Sequence, residues 1–324
     1  MTYCLDAWGP IIPDSARWLK EKNMELVVPD ISSDFACPHG HGGKLGPIGF
    51  LPPPIPNPIP PPPIPYVQRW LTSQDLTAIQ QLHAGVRYFD MKIARKPFPF
   101  PGPPKSDGPI PPPFDWTFYF VNGLYSTVTV EHTFREMAKW LAEHPREVVI
   151  LACKSFDVMN DDDHQKFISQ LMEIFSNRLC PHTEAPPTLQ DCWDNNYQVI
   201  LSYADRKQAA NQKLLWPEID CWWTKRVTAK GVVDDLTNRL QTKGRGEDEF
   251  FVAGLNVTPD EQYIASHPNS SLQKMTYAAY PQLMEWIPKQ QPGAGKTCVN
   301  IIAADFVDFE FIQLVININA FKKN

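Results

Sequence analysis

Long apolar runs, basic clusters and paired cysteine motifs are all missing from these 324 residues. No stretch approaches the length of about 18 apolar residues that a membrane-spanning helix needs, so none is expected. The formal charge is −6, the isoelectric point lies near 5.8, and no long Lys/Arg run occurs. A nucleic-acid groove is therefore not expected as a main surface, and nucleic acid is not an expected partner. The seven cysteines are odd in number and widely spaced, with no C-x-x-C pair, which reads as reduced thiols of a cytosolic chain. The start, Met1-Thr-Tyr-Cys-Leu-Asp, lacks the charged and apolar regions of a secretory signal, so a soluble cytoplasmic protein is expected. Neither a G-x-G-x-x-G nor a P-loop motif is present, which removes the usual phosphate cradle of an open doubly wound sheet.

Proline is what the chain has in excess: 34 residues, about twice the usual share. The excess is concentrated. Twelve prolines fall within residues 37–65 and nine within 97–113, leaving 13 for the remaining 278 residues. At this density proline favours extended polyproline conformation over sheet or helix interior. The P-x-x-P pattern of residues 50–65 makes an SH3- or WW-type domain a candidate partner. Within the first insert, Cys37-Pro-His-Gly-His-Gly-Gly sets His39 and His41 near a thiol, too little for a metal site.

Outside the inserts, apolar runs alternate with amphipathic stretches. Residues 85–93, 118–121, 148–152, 199–203, 250–255 and 299–303 read as short strands, and 221–223 as one more. Their near-continuous hydrophobicity suits a parallel sheet covered on both faces. Helical patterns occupy 73–83, 131–144, 161–175, 230–240 and 272–287, with Ser73 as a capping residue and Asp161-Asp-Asp complementing a helix dipole. The βα alternation implies an α/β fold. Nearly every strand carries a polar residue near its C-terminal end: Asp90 and Lys92, Asn122, Lys154, Ser202, Asn256 and Asp305. Polar groups from many strands converging on one rim point to a TIM-like (β/α)8 barrel.

Gly85-Val-Arg-Tyr-Phe-Asp-Met-Lys-Ile-Ala, Phe120-Val-Asn-Gly-Leu-Tyr and His144-Pro-Arg-Glu-Val-Val-Ile-Leu-Ala-Cys-Lys resemble segments of the phosphatidylinositol-specific phospholipase C X-domain proteins. So do Gln198-Val-Ile-Leu-Ser-Tyr, Trp216-Pro with Trp222-Trp223, Phe251-Val-Ala-Gly-Leu-Asn-Val-Thr and Asn300-Ile-Ile-Ala-Ala-Asp-Phe. The set is similar to the small vertebrate members that hold little besides the X domain, and it spans residues 69–96 and 116–317. The resemblance implies one barrel domain over residues 1–324, of the phospholipase C-like phosphodiesterase type, with proline-rich inserts at about 37–65 and 97–113. It also implies a phosphoinositide headgroup as ligand, transient contact with a membrane surface, and cleavage of a phosphodiester by one basic and one acidic histidine. Asp90 and Asp305 match the family's acids. Lys92 stands where relatives hold an arginine or a calcium ligand, so a metal-independent site without cofactor is expected. Lys154 is a candidate second cation, and Tyr203 and Trp222 are candidate ring-stacking walls.

Two departures bear on activity. The family's acid histidine belongs where this chain has Asn122, and a carboxamide cannot donate a proton at neutral pH. The base histidine belongs to a Gly-Ser-His-Asp-Ser segment just before Tyr3-Cys-Leu-Asp, where the chain reads Met1-Thr. The first barrel strand is expected to be missing with it, its place unfilled or taken by a segment such as residues 25–29. His83, His132, His144, His164 and His267 are expected in structural or solvated roles. The chain therefore reads as a phosphodiesterase of impaired or no turnover, the alternative being a non-catalytic phosphoinositide-binding or scaffold protein.

Overall fold

The computed structural model describes residues 64–95, 117–244, 246 and 249–319. Both proline-rich inserts, apart from Ile64 and Pro65, together with His39, His41 and residues 25–29, lie outside the described residues.

The first helix, α1 (Ile64–Leu71), leads through a turn into α2 (Ala78–Ala84). Thr77 rather than Ser73 starts α2: its side chain accepts from Gln80 N, and Gln80 reciprocates in a capping box. Ser73 and Gln74 serve a longer-range purpose. Ser73 O accepts from Phe306 N at 2.7 Å, and the Gln74 carboxamide brackets Ala304 O and Val307 N. Gly85 then ends α2 at φ 112°, a left-handed value that suits glycine.

Strand β1 (Tyr88–Arg95) pairs in parallel with β4 (Val149–Asp157), and β4 with β5 (Val199–Tyr203). A second parallel set joins β6 (Asp220–Trp223), β7 (Phe251–Gly254) and β8 (Ile301–Ala303). A single bridge, Ser202 to Trp216, links the sets, and Ser202 Oγ ties the junction by donating to Pro217 O and accepting from Ile219 N. Among the described residues β8 does not pair with β1, so the parallel wall is an incomplete (β/α) barrel. The 118–121 run departs from the parallel expectation. It forms β2 (Phe118–Val121), antiparallel to β1 and joined to β3 (Tyr125–Thr129) by a tight turn. The reversal from β2 into β3 is local: Asn122-Gly123 is a hairpin dipeptide, and Gly123 takes φ +75°.

Strand alternation sorts the apolar side chains into two cores. Tyr88, Ile150, Ala152, Ile200, Val252, Ile301 and Ala303 fill the barrel interior. Phe89, Met91, Ile93, Leu151 and Leu201 face outward onto helices. There they meet Phe134 of α3 (Val130–Glu143) and Phe167 of α4 (Asp161–Phe175). Helix α4 keeps its expected limits because Asn160 and Asp163 close a capping box. The shell continues through α5 (Leu189–Asp194), α6 (Arg206–Ala210), α7 (Ala229–Thr242), α8 (Glu261–Ser266), α9 (Leu272–Met284) and α10 (Phe309–Asn317). The run expected to 287 stops at Met284, with Pro281 in the last turn, and a separate 3₁₀ turn covers Ile287–Lys289. No described helix is long and apolar enough to cross a membrane.

Arg87 pins the bottom of this wall. Its guanidinium, 1% exposed, bonds Glu147 at 2.8 Å, donates to Leu82 O and Val86 O, and lies 4.9 Å above the Trp140 ring. Removing one partner of a buried pair leaves the other uncompensated. Arg87→Ala is expected to lower the unfolding free energy by about 3 kcal/mol, read from urea denaturation. A loss below about 1 kcal/mol, the value of an exposed pair, would contradict this.

Candidate functional site

The rim at the C-terminal ends of the strands gathers most of the expected polar residues. In β1, Tyr88, Asp90 and Lys92 share one face, and Tyr88 belongs to the barrel interior. Opposite them the β1–β4 register slips: Met91 faces Cys153 but Lys92 faces Ser155. Lys154 is the extra residue of this bulge, a common device for aiming one side chain. It is 6% exposed; its ammonium donates to Ile219 O and stands 3.7 Å from Glu218 Oε1.

Asp90 is 1% exposed. Tyr88 Oη donates to its Oδ2 at 3.0 Å, while Oδ1 has no hydrogen-bond partner in the structure. Burial raises this carboxyl to about 7, against the pull of the Lys154 ammonium, the Tyr88 bond and the Lys92 ammonium. Asp305, just beyond β8, is also buried. Burial lifts it to about 6, against the Asn256 hydrogen bond and the field of Lys92. Among the described residues, Lys92 is thus the cation whose field reaches both acids. Its Nζ donates to Asn122 Oδ1 at 3.1 Å, and Asn122 Nδ2 donates to Leu71 O at 2.5 Å. Asn256 presents a second buried acceptor, Oδ1, that lacks a partner.

Two expected walls fall elsewhere. Tyr203 is fully buried in the helical shell, its hydroxyl 2.7 Å from His164 Nδ1 and its ring tilted against Phe156. Trp222 turns outward onto Phe251 and Arg239 and bonds Asp220. Strand parity explains both: Ser202 and Cys221 take the inward positions, so the next residue must point out. Trp223, two residues beyond Cys221, shares the inward face. Its Nε1 donates to Thr258 Oγ1, and its ring packs where a Cβ on Gly254 would come within 3.1 Å. Trp223, Tyr88 and Glu218 were not singled out from the sequence as single site residues, although the period-2 pattern carries the first two.

The described histidines sit away from the acids. His83 and His144 pack around Trp140 beside Arg87, toward the N-terminal end of the strands. His132 lies exposed on α3, His182 packs on Trp216 and His267 on Tyr263. His164 takes a structural role: it is buried against Tyr203, and that burial lowers its pKa. Among the described residues no three His, Cys, Asp or Glu side chains converge to hold a metal ion. Cys153, Cys180, Cys192 and Cys298 are free thiols.

No protein-family model matches this chain. Individual relatives do. PI-PLC X domain-containing protein 1 of Danio rerio is 40% identical over 258 residues, covering 79% of this chain and 78% of the relative. Its namesake in Homo sapiens is 35% identical over 320 residues, covering 98% and 84%. PI-PLC X domain-containing protein 3 of Homo sapiens is 30% identical over 258 residues, covering 78% and 74%. Among solved structures, the phosphatidylinositol-specific phospholipase C of Listeria monocytogenes superimposes with a TM-score of 0.55 at 14% identity, covering 79% of this chain and 87% of that one. The Staphylococcus aureus phosphatidylinositol-specific phospholipase C gives 0.52 at 14% identity, covering 77% and 86%. The distant structures share the incomplete barrel's fold, and at 30–40% identity across most of its length the chain belongs to the PI-PLC X domain-containing proteins.

Proposed function

We propose that the barrel rim is a phosphoinositide headgroup site of the phospholipase C type, in a single X-type domain, and that this chain turns its ligand over slowly or not at all. The observation that carries the reading is the Lys92–Asn122 contact at 3.1 Å beside the two buried acids. Lys92 and Lys154 supply positive charge for a phosphate. Lysine does this as a point charge, needing no metal to offset the dianion or monoanion. The Asp90 and Asn256 acceptors without partners are suited to hydroxyl donors, which a cyclitol headgroup offers in plenty. Asn122 fills the proton donor's place with a group that holds its protons.

The surroundings support transient contact with a bilayer. Val158 is 56% exposed after β4 and Phe309 48% exposed after β8. Val158 lies in the turn that follows β4 and Phe309 at the start of α10, both beyond C-terminal strand ends, on the same rim as the acids and lysines. Apolar side chains there favour a membrane surface that presents headgroups toward the site.

Co-sedimentation with vesicles of phosphatidylcholine containing phosphatidylinositol tests the reading. Binding is expected to rise with the phosphatidylinositol fraction. Lys92→Ala should weaken it about tenfold or more, the worth of one charge-assisted hydrogen bond. Equal binding to vesicles of phosphatidylcholine alone, or no effect of Lys92→Ala, would overturn it.

A further inference from the structure

The Asn122 carboxamide is engaged at both ends. Its oxygen accepts from the Lys92 ammonium and its nitrogen donates to the Leu71 carbonyl at the end of α1. The neighbouring turn lies against that carbonyl's residue: a Cβ on Gly123, which sits at φ +75°, would come within 2.7 Å of Leu71 Cδ1 and push that side chain aside. The same stretch is fixed on its other side, where Ser73 and Gln74 bond the 304–307 segment that carries Asp305. Residues 71–74 therefore form a strap from the β2–β3 hairpin to the end of β8. Lys92 stands at its hairpin end.

We infer that Asn122 is a positioning residue for Lys92: a clasp running from the Leu71 carbonyl through the carboxamide to the ammonium, seating that cation for the phosphate of a polyol phosphate. The chemistry of the amide makes this specific. The Leu71 carbonyl accepts only, so it selects the N–H end of the amide and forces the oxygen toward Lys92. An ammonium has three donors, so Lys92 can keep the Asn122 bond while it takes a phosphate oxygen. An imidazolium, the form a general acid must reach, has two donors and no acceptor. It could hold Leu71 but would offer Lys92 nothing except like charge. The amide thus fits both neighbours, and the position exchanges proton donation for a fixed charge. The choice of ligand rests on the headgroup reading above, whereas the clasp itself does not.

Two measurements test this in the full chain. The first follows the side-chain carboxyl resonances of Asp90 and Asp305 through a pH titration. Among the described residues, the groups facing Asp90 are Tyr88, Lys154, Lys92 and Cys153, with Glu218 beside Lys154; those facing Asp305 are Asn256, Lys92 and Tyr280. Lys92 holds both carboxyls down, so Asn122→Ala, which releases the ammonium, should move both midpoints upward. A rise of half a unit or more in both is expected, and a rise in neither overturns the clasp. Gly123→Ala, which displaces Leu71 and leaves Asn122 in place, should shift both in the same direction by less. It also decides the matter if Asn122→Ala does not fold. The second measurement is calorimetric titration with myo-inositol 1-phosphate. Asn122→Ala should weaken binding about tenfold; unchanged binding with shifted midpoints would leave Lys92 positioned but not used, which also overturns the inference. If the unaltered chain does not bind this probe, the headgroup reading fails, and the carboxyl titration still judges the clasp.

Discussion

Release of inositol phosphate from phosphatidylinositol micelles is expected to run about 10²–10⁴-fold below that of a relative with histidine at the Asn122 position, the usual worth of general acid–base catalysis. The step at stake is departure of an alkoxide, which needs a proton as its bond to phosphorus breaks. Asn122 cannot give one at neutral pH, and both ends of its carboxamide are already committed to Lys92 and Leu71. No described histidine stands in for it: His164 is sealed against Tyr203, and His83 and His144 flank Trp140 toward the other end of the strands. Among the described residues of the rim, Asp90 is the group brought closest to titrating at pH 7, raised to about 7 by burial. Should Asp90 supply the proton, turnover would follow its protonated form and fall steadily above pH 7. A rate equal to that of the histidine-bearing relative and flat between pH 6 and 8 would contradict the expectation.

How much of this was readable in advance turns on particular residues. Strands β1, β4, β5, β7 and β8 announce themselves because both faces are buried, which leaves apolar runs such as Val149-Ile-Leu-Ala. Helix α4 is legible to its ends because Asn160 and Asp163 cap it within four residues. The apolar content of β2 does not tell its direction, and the Asn122-Gly123 pair announces only the reversal into β3. Ser73 looked like a helix cap because hydroxyl residues favour that position, yet its carbonyl is spent on Phe306, a partner more than 200 residues away. No local pattern announces such a bond. The position of the acids and lysines at strand ends is legible because chemistry-bearing residues stand out in an apolar run. The aromatic walls were misplaced for a reason the sequence does hold: Ser202 and Tyr203 are neighbours in one strand and cannot both face the rim. The same parity assigns the inward place to Trp223 over Trp222. What no sequence pattern conveys is the bulge beside Lys92 and the strap that joins Leu71 to Asn122.

Stability is expected to fall as pH rises from 4 to 7, and the two buried acids are the cause. A carboxyl raised on folding binds its proton more tightly in the native state than in the unfolded chain. Between the unfolded pKa, about 3.8, and the folded values, about 7 for Asp90 and about 6 for Asp305, the native state therefore carries the extra protons. Raising the pH through that window costs stability; below it and above it the contribution is flat. At about 1.36 kcal/mol per unit, Asp90 accounts for a loss of about 4 kcal/mol and Asp305 for about 3 kcal/mol. Native stabilities of about 5–15 kcal/mol make this a large share. Comparison with an Asp90→Asn, Asp305→Asn double variant isolates the effect, because every other titrating group cancels. The two proteins should unfold in urea at similar concentrations at pH 4, and the variant should gain stability over the unaltered chain by several kcal/mol at pH 8. A constant difference across the range would mean that the two carboxyls titrate normally and are hydrated. The gain should also cost function, since the variant gives up the negative charges that share the field of Lys92. Keeping both acids buried thus costs the fold stability at neutral pH, and the proposed headgroup site is where that cost would be recovered as function.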